Sequence, residues 1–150
     1  MSTPSPRAGT TRCLVVGYDD TDSSRAAVSW AAAQLPEDGR LVIVYACRPL
    51  HAPPDPLSTA KERRALGRAV IDELMLGGED ALHDVEVQAE ISDADPVSAL
   101  IEAAHTHDAS AIVLGNERRS RLHRALGTAT TELLLRSPVP VTTVPHAVED

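Results

Sequence analysis

The sequence predicts an α/β domain in which a parallel sheet carries helices on both faces. Five segments have the apolar character of strands, and four helical segments alternate strictly with them along the chain. The length agrees, because 150 residues suit one domain that buries its own core without disulfides or a metal. We therefore divide the chain into a disordered lead-in (residues 1–11), one domain (residues 12–146) and a tail (residues 147–150).

The first strand and helix follow a lead-in rich in Ser, Thr, Pro and Gly that lacks apolar periodicity. Cys13–Val16 is a continuous apolar run, which is typical of a strand covered on both faces. The polar turn Gly17–Ser24 ends in residues that can cap a helix. We predict that this helix runs from Ser24 to Leu35 and ends at Pro36. Its predicted inner side consists of Ala27, Trp30, Ala31 and Gln34.

The second strand is predicted at Leu41–Ala46, and a loop with four prolines follows over residues 48–57. Thr59 and Glu62 have the spacing of a capping box, so we predict that a helix begins there and ends at Gly77. The residues at helical spacing within it are Leu66, Ala69, Val70 and Leu74.

The third strand is predicted at Val85–Ile91, where apolar and polar residues alternate. One face of this strand is therefore solvated, which places it at the edge of the sheet. Asp95 and Pro96 then supply a cap and a proline at the first helical position. The buried stripe of this helix is Val97, Leu100, Ile101 and Ala104.

The last part of the chain has the order expected of an anion-binding site. A buried strand at Ala111–Leu114 turns at Gly115, and four arginines follow before Gly127. A helix from Thr128 to Arg136 and a strand at Val139–Val144 complete the chain. Glycines let backbone N–H groups approach a phosphate, and a helix N-terminus adds further N–H groups and a favourable dipole. An exposed turn, a solvated basic loop and an ordinary N-cap would explain the same residues.

Composition excludes some classes of partner. The formal net charge is −8, which argues against sequence-independent binding to nucleic acid. Phe is absent and aromatic residues are few, so the core is predicted to be aliphatic, and the composition argues against a stacking platform for single-stranded nucleic acid. The run Glu117–Arg124, with four Arg and one Glu, is locally basic and suits a small anion better than a duplex.

Cys13 and Cys47 are expected at opposite ends of neighbouring strands, too far apart for a disulfide. The amino terminus has no signal-peptide core, and no apolar stretch approaches the roughly 20 residues of a membrane span. From this we expect a cytoplasmic protein.

Three stretches together resemble the universal stress protein family from Cys13 to Pro145. They are VVGYDDTDSSRAAVSWA, ADPVSALIEAAHTHDASAIVLG and GTATTELLLRSPVPVTTVP. The resemblance implies a five-stranded parallel sheet in the order 3-2-1-4-5, which is Rossmann-like and of the adenine nucleotide alpha hydrolase-like type. It also implies a homodimer joined through the last strand, Val139–Val144. An apolar last strand would otherwise be an unpaired edge.

Some members of the family bind ATP through the pattern G-x2-G-x9-G-[S/T] after the fourth strand, and others lack the pattern. Here Gly115 matches the first glycine, and Gly127 with Thr128 matches the final pair. Arg118 occupies the place of the second glycine, and the eleven residues between Gly115 and Gly127 are one fewer than in the family pattern. Arginine would be costly if the backbone there were left-handed, but its guanidinium could contact phosphate directly.

The resemblance implies further contacts with the nucleotide. Asp19 falls at the acidic position that meets the adenosine part, with Gly17 and Ala46 at neighbouring backbone contacts. On the phosphate side, the resemblance implies contacts from Arg118 and Ala129 in addition to Gly115 and Gly127. Asp20 stands where many relatives have glycine. The implied ligand is ATP, with Mg²⁺ as a possible bridge to its phosphates.

Other constellations have simpler interpretations. Asp19, Asp20 and Asp22 could hold a divalent cation, although turn and cap chemistry is the commoner use of such a cluster. His105 and His107 are two residues apart and do not share a helix face, so no metal site is predicted there. Neither a nucleophile elbow nor a G-x4-G-K-[S/T] loop is present, so no catalytic residue is assigned.

Three functions remain open from the sequence. One is a nucleotide-binding stress or signalling module, with at most slow ATP hydrolysis. Another is a dimeric interaction protein of the same fold that has lost its nucleotide. A phosphoryl or nucleotidyl transferase is the third, and it rests only on analogy of architecture.

Overall fold

A computed structural model describes residues 12–48, 53, 55–77, 80–118 and 128–147 of the chain. Strands and helices alternate as the sequence predicts, with a short 3₁₀ helix at Asp80–Leu82. The strands are β1 (Cys13–Gly17), β2 (Arg40–Ala46), β3 (Glu86–Ser92), β4 (Ala111–Arg118) and β5 (Val141–Ala147). The helices are α1 (Asp22–Gln34), α2 (Ala60–Leu76), α3 (Pro96–Thr106) and α4 (Thr128–Arg136). The predicted lead-in and residues 148–150 lie outside the described residues.

The five strands form one parallel sheet in the order β3-β2-β1-β4-β5, which confirms the predicted topology. Val15 of β1 is paired with Val42 on one side and Ile112 on the other, so β1 lies at the centre of the sheet. β3 is an edge strand, as its alternating pattern predicts. The strand order reverses between β1 and β4, where a ligand cleft is expected in such sheets.

Two apolar layers separate the sheet from its helices and confirm that helices cover both faces. Val16 and Ile43 pack in the layer beneath α1 and α2, while Val15 and Ile112 pack in the layer beneath α3 and α4. Successive β1 residues enter opposite layers because side chains alternate across a strand. The core is aliphatic, as predicted, and Tyr18 is its one buried aromatic residue among those described.

Helix α1 differs from the prediction in its start and in its buried face. It begins at Asp22, because Thr21 caps it by accepting the backbone N–H of Ser24. Trp30 is 38% exposed and Gln34 is also exposed, so their predicted inner position is wrong. The face of α1 that packs against the sheet instead consists mainly of alanine, so the helix can approach the sheet closely. Its buried residues are Ser23, Ser24, Ala27, Val28, Ala31 and Ala32.

Helix α2 is capped by Thr59 as predicted, but its buried face is rotated from the predicted one. Leu66 and Ala69 are exposed, and the helix contacts the sheet through Gly67, Ile71 and Leu74. A Cβ at Gly67 would lie 2.9 Å from both the Tyr45 ring and Ile91, so the glycine allows close packing. The position of Gly67 over β2 and β3 therefore sets the rotation of α2.

The predicted turn at Gly115 is wrong, because β4 continues to Arg118. Its added residues pair with β5, which is shifted to Val141–Ala147 from the predicted Val139–Val144. Gly115 pairs with Val144, and Arg118 pairs with Ala147. The ladder between the two strands outweighs the turn preference of glycine.

Both cysteines are free, as expected from their placement. Cys13 is buried at the start of β1, and Cys47 follows the end of β2. Each helix among the described residues is too short or too polar to span a membrane.

Helix α3 starts as predicted, with Asp95 as its cap and Pro96 at the first position. The Asp95 carboxylate accepts the Ser98 backbone N–H at 3.0 Å and the Ser98 hydroxyl at 2.9 Å. Burial acts to raise the pKa of Asp95, but these hydrogen bonds outweigh it and hold the pKa below its usual value. The Arg63 guanidinium, 3.1 Å from Asp93, likewise lowers the pKa of Asp93.

We expect acid to destabilise the protein through these two carboxyls. A lowered folded-state pKa means that the unfolded chain binds the proton more readily, so the stability present at neutral pH is lost as pH falls. The free energy of unfolding should therefore decrease below about pH 4. Asp95→Asn keeps a capping side chain but cannot titrate, so its decrease should be shallower. Urea unfolding across pH tests this, and identical pH profiles would contradict it.

Candidate functional site

A cavity of about 360 Å³ lies where the sheet order reverses, at the carboxyl ends of β1 and β2 and beside the middle of β4. Its size falls within the range of small-molecule sites, roughly 300–1,000 Å³. These strands and the first turns of three helices form its wall. The lining residues from the strands and the turns that follow them are Gly17, Tyr18, Asp19, Val44, Ala46, Cys47, Arg48, Leu114 and Gly115. Those from helices are Ser23, Ser24, Pro96, Leu100, Ala129 and Thr130.

The structure brings five of the eight predicted site residues together along this cavity. They are Gly17, Asp19, Ala46, Gly115 and Ala129. Thr128 is the first residue of α4, directly before Ala129. The backbone of Arg118 lies in β4, three residues beyond Gly115. Gly127 lies outside the described residues.

Gly115 is where β4 meets the first turn of α1. A Cβ on Gly115 would lie 2.3 Å from the carbonyl oxygen of Ser23 and 2.9 Å from the backbone nitrogen of Ser24. Both contacts are with backbone, which a rotamer change cannot relieve. Gly115 is thus required for the close approach of a strand to a helix, and not for the turn that the sequence predicts.

Asp19 lies in the turn between β1 and α1, with its side chain exposed at the cavity. Its carboxylate accepts the Thr21 hydroxyl at 2.5 Å, and its backbone N–H donates to the Ser24 hydroxyl at 3.2 Å. Thr21 and Ser24 also cap each other's backbone in a capping box. The cap network therefore holds the Asp19 turn in place beside the cavity.

Asp20 has a left-handed backbone, with φ of 63°, which explains why glycine also suits this position. Its carboxylate forms an ion pair with Arg25 at 2.5 Å and accepts the Tyr18 hydroxyl at 3.3 Å. Arg25 also pairs with Asp22 at 3.1 Å. Asp19 therefore contacts Thr21, whereas Asp20 and Asp22 share Arg25. Among the described residues, no group of three His, Cys, Asp or Glu side chains could hold a metal ion.

His107 takes part in a different contact. Its Nε2 contacts the Glu90 carboxylate, and its carbonyl accepts a hydrogen bond from Arg40 at 3.2 Å. This cluster joins the end of α3 to β2 and β3 and does not line the cavity.

The N-terminal ends of α1, α3 and α4 converge on the cavity through Ser23, Pro96 and Ala129. Free backbone N–H groups and the helix dipoles make such ends favourable for anions. Thr130 adds a polar group at the same place. It is 7% exposed and lines the cavity.

Sequence reasoning missed several lining residues because they lie outside the recognised motif. Cys47 and Arg48 follow Ala46 directly, so their position after a strand was the available signal. Burial raises the pKa of the Cys47 thiol, and the nearby Asp93 carboxylate raises it further. Cys47 is therefore a neutral thiol at neutral pH, whereas Arg48 is an exposed cation in the cavity lining.

The fold and cavity define a class of protein: an open parallel α/β domain with a ligand cleft at its switch point. The model of the universal stress protein family matches residues 11–145. The chain belongs to the universal stress protein family.

Relatives of known sequence and structure agree with this assignment. Universal stress protein Rv1636 of Mycobacterium tuberculosis is 30% identical over 136 residues, covering 87% of this chain and 93% of that protein. A universal stress protein solved in complex with cAMP is 26% identical, with a TM-score of 0.59, covering 89% of this chain and 96% of that one. A family protein from Arabidopsis thaliana with AMP bound is 15% identical, with a TM-score of 0.63 and coverage of 90% and 92%.

Proposed function

We propose that this protein binds an adenine nucleotide in the cavity and acts as a regulatory module in a stress response or signalling. The observation that carries the proposal is the convergence of three helix N-termini with the Asp19 turn around one cavity of about 360 Å³. This arrangement offers acceptors for a sugar at one side and donors for an anion at the other. The relative solved with cAMP, at 26% identity, supports an adenine nucleotide as the ligand class.

In the proposed complex, the Asp19 carboxylate accepts the ribose hydroxyls, and the backbone at Gly17 and Ala46 contacts the adenosine part. The phosphates approach Gly115 and the start of α4, at Thr128 and Ala129. Gly127 and the Arg118 guanidinium would complete this side. ATP is the proposed ligand, with Mg²⁺ on its phosphates. We assign no catalytic residue, and the proposed role is binding rather than turnover.

Titration calorimetry with ATP, with and without Mg²⁺, and with AMP and cAMP tests the proposal. The variant Ala46→Leu places a larger side chain at the cavity wall and should therefore block the nucleotide. Binding to the unaltered protein and its loss in Ala46→Leu are expected. Absence of binding at millimolar nucleotide would overturn the proposal.

The competing function is a dimeric interaction protein that has lost its nucleotide. It is favoured by Arg118 in place of the second glycine and by the shortened loop. However, Arg118 pairs with Ala147 in an extended strand, so the backbone there does not need a glycine. We therefore propose that its guanidinium serves a phosphate.

Arg118→Gly is accordingly expected to weaken ATP binding by about tenfold, as for loss of one charge-assisted contact. AMP binding should change less, because its single phosphate lies nearer the adenosine. Parallel titrations of both nucleotides measure the difference. Tighter ATP binding by Arg118→Gly would show instead that the arginine obstructs the site.

We also propose a homodimer joined through the last strand, over Val139–Val144 and the observed β5. This strand forms an edge of the sheet and is only partly buried in the single chain. An unpaired apolar edge is usually covered or paired. Light scattering after size-exclusion chromatography would contradict this dimer if the protein were a clean monomer.

A further inference from the structure

Arg48 brings a positive charge to the cavity at the carboxyl end of β2. Its side chain is exposed, and among the described residues that line the cavity it is the only basic one. The contacts proposed above for the nucleotide do not use it. Its position along the cavity therefore decides which part of a bound nucleotide it would meet.

Arg48 continues the row of β2 side chains that faces the cavity. Val44 and Ala46 pack in the layer beneath α3 and α4, and both line the cavity. The ladder between β2 and β3 extends one residue further, because the Cys47 N–H donates to a β3 carbonyl oxygen at 2.8 Å. The Cys47 thiol donates to the Arg63 carbonyl oxygen of α2, on the other face of the sheet, at 3.5 Å. Since side chains alternate along an extended chain, Arg48 follows Val44 and Ala46 on the cavity face.

The strands beside the cavity give a scale for a bound nucleotide. Neighbouring strands lie about 4.8 Å apart, so β2 and β4, which flank β1, are separated by roughly 10 Å. In the proposed complex the phosphates lie beside β4 and the start of α4, and the ribose lies at Asp19, after β1. The base, which is attached to the far side of the ribose, therefore reaches the end of β2.

The wall at the β2 end suits the base better than it suits a phosphate. Val44 and Ala46 of β2 are apolar, as are Pro96 and Leu100 of α3, which packs against β1 and β2. These side chains can pack against one face of a planar ring. Arg48 lies beyond them at the exposed rim, so its guanidinium can cover the other face. A guanidinium is planar, stacks on aromatic rings and is attracted to their π-electrons.

We infer that the Arg48 guanidinium stacks on the base of the bound nucleotide and covers its exposed face. This inference rests on the proposed function, because it assigns one more contact within the same complex. Arg48 thereby contributes to selection of the base, whereas the start of α4 meets the phosphates. Its role is distinct from that proposed for Arg118, which belongs to β4 on the phosphate side.

Arg48→Ala tests this contact by titration calorimetry with AMP, adenosine and ribose 5-phosphate. Adenosine has the base without a phosphate, and ribose 5-phosphate has the phosphate without the base. We expect the variant to bind AMP and adenosine about fivefold more weakly than the unaltered protein, as for loss of one cation–π contact. Its affinity for ribose 5-phosphate should be unchanged. Because the Arg48 side chain is exposed, the Tm should not change either.

Arg64→Ala is the matched control for this experiment. Arg64 is also an exposed arginine, but it does not line the cavity. The hydrogen bond from Arg63 lowers the pKa of Asp93, and the charges of Arg48 and Arg64 lower it further, so both charges act in the same region. Arg64→Ala therefore removes a similar charge without removing a contact with the base. It should bind all three ligands as the unaltered protein does.

The inference would be overturned if Arg48→Ala bound adenosine as tightly as the unaltered protein. A loss of affinity for AMP alone would assign the Arg48 guanidinium to the phosphate instead. Equal losses in Arg48→Ala and Arg64→Ala would also overturn it, since a long-range effect of charge would then explain both. If the unaltered protein bound neither AMP nor adenosine, the proposed function would fail and this inference would fail with it.

Discussion

Gly115→Ala is expected to lower the free energy of unfolding by about 3 kcal/mol, at the upper end of the usual cost of overpacking. The added Cβ would lie 2.3 Å from the Ser23 carbonyl oxygen, so β4 or the first turn of α1 must move. For a domain of this size, the loss corresponds to a decrease in Tm of roughly 10 °C. Since Gly115, Ser23 and Ser24 all line the cavity, nucleotide binding should weaken together with stability.

Gly77→Ala is the matched control for this experiment. Gly77 ends α2 with a right-handed backbone, φ of −65°, and the nearest atom to an added Cβ would be 3.3 Å away. This substitution should change stability by less than about 1 kcal/mol, with a slight gain from the restricted unfolded chain. Thermal and urea unfolding of the two variants measure the difference. Equal stabilities would show that the backbone around Gly115 yields easily.

Asp19→Ala is expected to weaken adenine-nucleotide binding by about ten- to a hundredfold. The proposed hydrogen bonds from ribose hydroxyls go to a charged acceptor, and such bonds contribute about 1.5–3 kcal/mol each. Stability should change little, because the Asp19 side chain is exposed and Thr21 still caps α1 through Ser24. Titration with AMP is the direct measurement, since it removes contributions from further phosphates.

Asp22→Asn is the appropriate comparison for Asp19→Ala. The Asp22 side chain is 81% exposed and contacts Arg25, and Asp22 does not line the cavity. Its nucleotide affinity should equal that of the unaltered protein. If both variants lost affinity equally, the effect of Asp19 would be one of general charge and not of contact with the sugar.

Sequence pattern was sufficient for the architecture because the pattern is local and repeated. Continuous apolar runs such as Cys13–Val16 and Leu41–Ala46 indicate strands buried on both faces, and the helices between them require parallel pairing. Cap chemistry was also local, since Thr59 and Asp95 need only residues three positions further on. The resemblance to the universal stress protein family supplied the strand order, which periodicity alone does not give.

Helix faces were less predictable because several rotations of an amphipathic helix fit a similar pattern. In α1 the buried face consists mainly of alanines, and Trp30 is partly exposed. In α2, Gly67 determines which face is buried, because the helix can approach Tyr45 and Ile91 closely only where it has no side chain. Such decisions depend on the surface that each helix meets, which lies elsewhere in the chain.

At the candidate site, too, some features follow from the sequence and others only from the tertiary structure. The sequence by itself indicated the α/β class and the position of the cleft at the strand ends, and its resemblance to the universal stress protein family indicated Gly17, Asp19, Ala46, Gly115 and Ala129 as site residues. Tertiary structure alone decided that Gly115 is needed because α1 approaches it, that β4 continues to Arg118, and that Thr130 lines the cavity. The physical reason is that local pattern fixes how each segment folds, whereas close approaches between segments distant in sequence fix what each residue contacts.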